Sequence, residues 1–313
     1  MNIPVFLFTG FLESGKTTFI VDTLRDEEFT SKGKTLVVHC EDGEIEYPIK
    51  ELKAKNISLV SVESEEELTE EFLEKLNKKY QPKQVIIEHN GMWDVNRFLA
   101  LALPESWAIA QILTTIDAST FSMYVNNMRS LLMQQVAYSD LIVINRCTKD
   151  MDQLVFRRNI KAINRKAQLI YETVDGVIMD HQQEVLPYNI NSSEITIVDE
   201  DFGIFYLDIT EHPEKYQGKI VKFRGTVYKE RDVSKNSFVA GRLAMTCCAD
   251  DISYIGLVCK YTLAENLKSQ DSVYISARVN IGVSSLYKGE GPILRVLSAE
   301  EAEKPEDDIV YFN

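Results

Sequence analysis

The chain has 313 residues, of which 45% are hydrophobic and 26% charged, and its formal net charge is −14 at pH 7. This length allows two domains with separate cores, and the composition is that of a globular protein without a membrane span. The acidity disfavours nucleic-acid partners, which need a basic surface. An odd number of cysteines, five, favours a reducing cytoplasm. The first residues predict a core strand rather than a cleavable signal, which favours the same location.

Short apolar runs alternate with helical patterns over residues 1–185, which predicts an α/β domain with a mostly parallel sheet. The predicted strands are residues 5–9, 35–39, 57–61, 84–88, 108–116, 141–145 and 168–171. Helical spacing follows at 65–80, 119–137 and 151–164. Ser64 and Glu67 predict a capping box for the first of these helices.

The strongest motif follows the first predicted strand. Gly10, Gly15, Lys16 and Thr17 match the phosphate-binding pattern G-x-x-x-x-G-K-[ST], and a helical pattern comes directly after it. Backbone N–H groups would wrap the phosphates, Lys16 would neutralise the β- and γ-phosphates, and the Thr17 hydroxyl would bind Mg²⁺. The loop therefore predicts nucleoside-triphosphate binding. Its expected contacts are Gly10, Glu13, Ser14, Gly15, Lys16, Thr17 and Thr18.

Two later strands end at polar residues that suit the same site. Strand 84–88 ends in Glu88, with Gly91 three residues on, where nucleotide hydrolases place an acid near Mg²⁺ and a glycine at the γ-phosphate. The plain alternative, a strand that ends in an exposed glutamate, stays open. Strand 141–145 ends at Asn145, the position at which GTPases carry Asn-Lys-x-Asp.

Residues 40–44 read Cys-Glu-Asp-Gly-Glu, and residues 88–91 read Glu-His-Asn-Gly. Together with the phosphate loop, these segments resemble the CobW-type P-loop GTPases, a family of metal-insertion and metallochaperone GTPases, over about residues 1–177. The resemblance implies GTP and Mg²⁺ as cofactors and a P-loop NTPase fold. The catalytic residues that it implies are Lys16, Glu41 and Glu88, with Thr17, Glu41 and Glu88 at the Mg²⁺, Gly91 at the γ-phosphate, and Asn145 and Arg146 at the base.

Two departures from that family concern metal and base recognition. The family's Cys-x-Cys-Cys is absent, and Cys40 is interpreted as a buried or switch residue. Residues 145–148 read Asn-Arg-Cys-Thr, and Thr148 offers one uncharged oxygen where guanine expects a carboxylate. The loss of one charge-assisted hydrogen bond should weaken guanine preference by about 1.5–3 kcal/mol. GTP is the expected nucleotide, with ATP or loose specificity open; Asp150 would substitute only if the loop is remodelled.

After a predicted linker at 186–200, the hydrophobic period changes to two, which predicts a small all-β domain at 201–313, an OB-like barrel. The predicted strands are residues 220–228, 238–247, 254–261, 273–279 and 293–297. Tyr228, Phe238 and Tyr254 are interpreted as core aromatics, because no basic residues are interleaved with them. From about Asp201 onward, and above all at 235–250, the chain resembles the soluble domain of a bacterial permease-associated family, which implies a link to metal or ion transport.

Cys247 and Cys248 are adjacent, and Asp250 and Asp251 follow them. Thiolates and carboxylates in one turn could bind a transition metal such as Zn²⁺. The alternative, one cysteine in the core and one lining a turn, stays open because no C-x-x-C spacing exists.

These patterns together predict a cytoplasmic, Mg²⁺-dependent GTPase that is coupled to metal delivery or ion transport. We expect slow turnover without a partner, because neither a water-orienting glutamine nor an arginine finger can be identified. A metalloprotein client, a membrane permease or a second copy of the chain would be that partner. Two alternatives remain: a scaffold that binds GTP or ATP with little hydrolysis, and a kinase, which would need an acceptor site and a lid.

Overall fold

The computed structural model describes residues 2–182, 185–229, 236–245, 252–287, 289–305, 309–310 and 312. Backbone contacts divide the chain into two compact units, Met1–Gln182 and Gln183–Asn313. Within the described residues, no helix combines the length and the apolar character needed to cross a membrane.

The described part of the first unit is built on a seven-stranded sheet in which every pairing is parallel. Its strands are β1 (Ile3–Thr9), β2 (Thr35–His39), β3 (Ile57–Ser61), β4 (Gln84–Glu88), β5 (Trp107–Asp117), β6 (Leu141–Cys147) and β7 (Gln168–Thr173). The strand order is β3-β2-β4-β1-β5-β6-β7. The α/β prediction is confirmed. The strand order reverses direction beside β1, and ligands bind at the carboxyl ends of strands at such a point.

Helices cover both faces of this sheet. They are α1 (Lys16–Arg25), α2 (Glu27–Thr30), α3 (Ile49–Ala54), α4 (Glu70–Tyr80), α5 (Val95–Leu99), α6 (Phe121–Asn127), α7 (Arg129–Ala137) and α8 (Gln153–Lys161). One core cluster joins Phe8 of β1 to Ile20 and Leu24 of α1. A second joins Leu7 to Leu73 of α4. Neighbouring side chains of a strand point to opposite faces, so β1 contributes to both clusters.

Two of the predicted helices differ from the observed ones. Residues Glu65–Glu67 form only a 3-10 turn, and α4 begins at Glu70. Its N-cap is Thr69, whose hydroxyl accepts from Phe72 N at 3.2 Å, so the capping box predicted at Ser64 is wrong. Predicted helix 119–137 divides into α6 and α7 at Met128, whose φ of −139° is not helical. The asparagines that end α6 are weak helix formers and favour this break.

The second unit is an OB-like barrel. Its described elements are β8 (Glu194–Thr196), α9 (Phe202–Glu211), β9 (Ile220–Tyr228), β10 (Ser237–Met245), β11 (Ile252–Lys260), β12 (Ser272–Ser284), β13 (Gly289–Glu301) and β14 (Ile309–Val310). Five strands close in the order β9-β10-β11-β13-β12-β9, with β11 and β13 parallel and the other pairs antiparallel. The barrel prediction is confirmed.

The segment 186–200, predicted as a linker, contains strand β8, which pairs in parallel with β9. Helix α9 follows it and was not predicted. Its Phe202 and Phe205 are buried, and their rings lie 5.6 and 5.8 Å from the ring of Phe223 on β9. The helix is apolar almost all round, so it lacks the amphipathic spacing that identifies a surface helix.

The three aromatic residues predicted for the barrel core behave differently. Phe238 is 1% exposed, as predicted. Tyr228 is 46% exposed, so its assignment to the core is wrong. Its ring lies 5.4 Å from that of Tyr254, whose hydroxyl donates to the carbonyl of Thr226 at 2.5 Å. The two tyrosines line a surface cavity of about 380 Å³.

Candidate functional site

The phosphate loop spans residues 10–15, between the end of β1 and the start of α1. Gly10 and Gly15 have φ values of 127° and 98°, which favour glycine. A Cβ atom on Gly10 would lie 2.4 Å from the carbonyl oxygen of Thr115, and one on Gly15 would lie 2.6 Å from Nδ2 of Asn145. The backbone contact excludes a larger residue at Gly10, and the positive φ favours glycine at both positions, so the loop keeps the tight backbone curve that phosphate binding requires.

Lys16 is 3% exposed, and its ammonium group lies inside this loop. Nζ donates to the carbonyl oxygens of Gly10 at 2.8 Å and Phe11 at 2.9 Å. The third donor reaches Oε2 of Glu41 at 2.5 Å. A lysine ammonium has three N–H donors, so all of them are engaged.

Glu41 connects the loop to the glycine that follows β4. Its Oε1 atom accepts a hydrogen bond from Gly91 N at 3.0 Å, while Oε2 is bound to Lys16. Its side chain is only 7% exposed. Three residues that the sequence assigned to phosphate and metal binding thus lie in direct contact.

Glu88 lies at the end of β4 and is 1% exposed, so it is not the exposed glutamate of the alternative interpretation. Its Oε1 atom accepts from the Thr17 hydroxyl at 2.6 Å, and its Oε2 accepts from the Tyr47 hydroxyl at 2.7 Å. His39 Nε2 lies 3.5 Å from the same Oε2. Burial, and then the charge of Glu88, raise the pKa of Tyr47. This phenol therefore stays protonated and orients the carboxylate.

Cys40 precedes Glu41 and is buried. Burial raises the pKa of its thiol, and the charges of Glu88 and Glu41 raise it further. Without a metal, Cys40 is therefore a protonated thiol at neutral pH. Its burial agrees with its interpretation as a buried residue.

Gln135 on α7 makes two contacts in the site that were not predicted. Its Oε1 accepts from Gly10 N at 3.2 Å, and its Nε2 donates to the carbonyl oxygen of Gly91 at 3.1 Å. The side chain is 1% exposed. The available signal was a polar residue on the apolar face of a helix, between the buried Leu132 and Val136.

The end of β6 lies against the phosphate loop. Asn145 donates from Nδ2 to the carbonyl oxygen of Ser14 at 2.7 Å. Arg146, at a φ of 54°, donates to the carbonyl oxygen of Glu13 at 2.9 Å and forms an ion pair with Asp117 at 2.8 Å. The predicted base-contacting residues therefore lie against the loop of residues 10–15.

Thr148 and Asp150 lie on the exposed turn that follows β6. A hydrogen bond from the Thr148 side chain lowers the pKa of Asp150. The position at which GTPases place their base-reading carboxylate is therefore occupied by a neutral hydroxyl with an acidic neighbour.

The remaining loop residues complete the cleft. Glu13 Oε1 accepts from Glu44 N at 2.7 Å, which ties the segment after β2 to the phosphate loop. Thr18 lines the same cleft as Thr17, Glu41 and Glu88. The first unit thus brings the predicted nucleotide- and magnesium-binding residues to one place.

The candidate transition-metal residues Cys247 and Cys248 lie outside the described residues, as do Asp250 and Asp251. Elsewhere in the described ranges, no three His, Cys, Asp or Glu side chains gather in a way that could hold a metal ion. Cys259 is fully buried, and its burial raises the pKa of its thiol.

His89 lies between Glu88 and Gly91 and is 1% exposed. Its ring packs against Trp93 and Phe98, and its Nδ1 has no hydrogen-bond partner among the described residues. Burial is the main cause that lowers the pKa of this imidazole, to about 4. His89 is therefore neutral at pH 7.

We expect the free energy of unfolding to fall by on the order of 3 kcal/mol as the pH drops from 6.5 towards 4. Over this interval unfolded His89 binds a proton and folded His89 does not, because its pKa is lowered from 6.5 to about 4. Urea denaturation at several pH values measures the effect. His89→Phe should flatten the slope, and the control His212→Gln, at a partly exposed histidine, should not. An unchanged slope in His89→Phe would contradict this assignment.

A parallel sheet, a glycine-rich loop before α1 and a buried carboxylate at the end of β4 define a P-loop nucleotide-binding protein. Residues 4–171, which are 168 of the 313 residues, match the CobW/HypB/UreG nucleotide-binding domain, and the chain belongs to that family. Residues 176–312 match the DUF1980 C-terminal domain.

Individual relatives are distant. UPF0703 protein YcgQ of Bacillus subtilis (strain 168) is 23% identical over 121 residues, which cover 39% of this chain and 42% of YcgQ. The Zn(II)-bound YjiA GTPase of E. coli matches at 22% identity and a TM-score of 0.43, over 56% of this chain and 59% of that one. The hydrogenase maturation factor HypB of Archaeoglobus fulgidus matches at 17% identity and a TM-score of 0.41, over 56% of this chain and 82% of HypB. The chain thus spans less than two thirds of YcgQ and of that YjiA structure.

Proposed function

We propose that the first unit binds Mg²⁺·GTP and hydrolyses it slowly, as a switch coupled to metal delivery or ion transport. One observation carries the proposal: Glu41 joins the Lys16 ammonium to the Gly91 amide, and the Thr17 hydroxyl meets the Glu88 carboxylate in the same cleft. These are the group types that P-loop hydrolases use for the β- and γ-phosphates and their Mg²⁺.

The residues at the Thr17 hydroxyl suit Mg²⁺. Thr17 Oγ1 and Glu88 Oε1 lie 2.6 Å apart, and Mg²⁺ prefers such oxygen ligands together with phosphate oxygens and water. When bound, Mg²⁺ would neutralise charge that develops on the phosphate oxygens. Tyr47 holds the other oxygen of Glu88 and so keeps the carboxylate directed at Thr17.

The rest of the chemistry belongs to the chain's own groups. Backbone N–H groups of the loop and the first turn of α1 would bind the β-phosphate. Lys16 would hold the negative charge, and water would attack the γ-phosphorus in line. The bond from the γ-phosphorus to the bridging oxygen would break, GDP would leave, and a proton of the water would pass to the released phosphate. Gln135 has its amide oxygen and nitrogen engaged with Gly10 and Gly91, so it supports the loop rather than orienting water. This favours intrinsic rates on the order of 10⁻⁴ to 10⁻² s⁻¹, as in GTPases that await a partner.

The coupled process is proposed from the family and from the second unit. A transition metal such as Zn²⁺ would be the cargo, and a metalloprotein client or a membrane permease would receive it or respond to it. Cys247 and Cys248 are the proposed ligands in the second unit. Calorimetry of the reduced full chain with Zn²⁺ tests them, because Cys247→Ser should then lower the affinity.

A second candidate is a scaffold that binds GTP or ATP with little hydrolysis. The departure from Asn-Lys-x-Asp favours it, because Thr148 cannot accept the two charge-assisted hydrogen bonds that guanine donates to a carboxylate. Arg146 is bound to Asp117 and to the phosphate loop, so it reinforces the loop whichever base is present.

Phosphate release from GTP and ATP, with Mg²⁺ and without an acceptor, separates these functions. We expect slow release with a weak preference for GTP. Thr148→Asp should raise the GTP-over-ATP affinity ratio by about tenfold, the equivalent of one charge-assisted bond, and the matched control Thr148→Asn should raise it less. Tight binding without release would favour the scaffold. A chain that binds neither nucleotide would contradict both functions.

A further inference from the structure

The Glu41 carboxylate lies between two hydrogen-bond donors that serve the terminal phosphate in P-loop hydrolases. One is the phosphate-loop lysine, here Lys16, at 2.5 Å from Oε2. The other is the amide of the glycine that follows the acidic strand, here Gly91, at 3.0 Å from Oε1. One carboxylate therefore bridges both donors.

These contacts are buried. Lys16 and Glu41 are 3% and 7% exposed as side chains. In such a site a charge-assisted hydrogen bond is shorter and stronger than a neutral one. A carboxylate offers two anionic oxygens to these donors, as a phosphoryl group does. Glu41 thus satisfies electrostatically the two groups that a terminal phosphate would use.

Lys16 and Gly91 cannot donate fully to both the Glu41 carboxylate and a γ-phosphate. Two of the three Lys16 donors are held by the carbonyl oxygens of Gly10 and Phe11, and the third is held by Glu41. Gly91 has a single N–H, and Glu41 accepts it. A γ-phosphate can gain these two donors only if Glu41 withdraws. A nucleoside diphosphate has no γ-phosphate, so the contact between Glu41 and Gly91 N stays in place.

We propose that Glu41 is an internal competitor of the terminal phosphate, displaced by a nucleoside triphosphate and retained with a diphosphate. Glu41 thereby sets the ratio between the affinities of the site for the triphosphate and the diphosphate. This inference rests on the proposed function, because it requires that the cleft binds nucleotides. It differs from the role implied by family resemblance, in which Glu41 would lie at the Mg²⁺.

Displacement of Glu41 would act on one segment of the chain, residues 41–47. At its far end the Tyr47 hydroxyl is bound to Glu88, and in between Glu44 N is bound to Glu13. The side chain of Asp42 is 97% exposed, and Ile45 is 51% exposed. The terminal phosphate would release one end of this exposed segment while Tyr47 holds the other, so a partner could distinguish the triphosphate state there.

The test compares the affinities of wild type and Glu41→Gln for GMPPNP, a GTP analogue that is not hydrolysed, and for GDP, both with Mg²⁺. We expect the variant to bind GMPPNP at least about tenfold more tightly, because competing contacts at both Lys16 and Gly91 are weakened. GDP competes with Glu41 for Lys16 alone, so we expect a clearly smaller gain in GDP affinity. Weaker GMPPNP binding would overturn the proposal and indicate a role at Mg²⁺. An equal change for both nucleotides would also overturn it.

Glu44→Gln is the matched control, because it removes the same charge from an exposed side chain of the same segment. Hydrogen exchange on wild type gives a second readout that needs no variant. Amides of residues 41–46 should exchange faster with GMPPNP than with GDP, while Gly91 stays protected. Equal exchange in the two complexes would overturn the proposal. A wild-type chain that binds neither nucleotide would instead remove the proposed function itself.

Discussion

Lys16→Ala is expected to lower the affinity for Mg²⁺·GTP by about 10- to 100-fold. The donor that Glu41 now holds would turn to the phosphates, and one charge-assisted contact of this kind is worth roughly 1.5–3 kcal/mol. The position of Lys16 inside the phosphate loop, at 3% exposure, leaves no neighbouring lysine to replace it among the residues that line the described cleft. Calorimetric titration of the variant and wild type measures the loss.

The variant also leaves the Glu41 carboxylate without its cation, and such an orphaned buried charge destabilises proteins by several kcal/mol. The double variant Lys16→Ala, Glu41→Gln separates the two effects. It should regain stability in urea unfolding and still fail to bind GTP tightly. Tight GTP binding by Lys16→Ala would contradict the assignment of this loop as the phosphate site.

Gly91→Ala should reduce GTP affinity by about 10- to 100-fold and lower the free energy of unfolding by about 1–3 kcal/mol, the usual cost of overpacking. An added Cβ would lie 2.5 Å from the carbonyl oxygen of Gly10 and 2.6 Å from Cα of Phe11. Both are backbone atoms of the phosphate loop, so the loop itself has to move. Equilibrium binding and urea unfolding check the two effects.

Gly43→Ala is the matched control for this substitution. Its Cβ would lie 2.7 Å from Oε1 of Glu13, so it would displace the contact of Glu13 with Glu44 N but would leave the loop backbone in place. We therefore expect a smaller loss in both measurements than for Gly91→Ala. Similar losses in Gly91→Ala and Gly43→Ala would show that the contact with the loop backbone is not the cause.

Strands of the first unit were predictable because they are short, continuous apolar runs between polar turns. The residues of β2 and β4 are buried throughout, and their predicted bounds agree with the observed ones. Short helices such as α3 and α5 were missed, since five or six residues carry too little periodicity. α9 was missed for the opposite reason, because its residues are apolar almost all round.

For the site, too, residues within one local motif were predictable, and contacts between residues far apart in the chain were not. The phosphate loop, Glu88 and Gly91 follow from spacing within single strand-loop segments. The contact of Tyr47 with Glu88 joins residues 41 positions apart, and that of Gly10 with Gln135 joins residues 125 apart. Such contacts depend on how strands are ordered in the sheet, and spacing along the chain does not encode that order.

The strand order of the barrel has a consequence for the chain as a ribosome makes it. All seven strands of the first sheet lie before residue 182, so that sheet can assemble while later residues are still being added. The barrel cannot close until its last strands have been synthesised. Among the described strands, one edge of β9 pairs only with β12, and one edge of β11 pairs only with β13, which ends at Glu301. Until those strands are made, both edges offer unpaired backbone groups to other nascent chains. The barrel is therefore open to such pairing until residue 301 has been added.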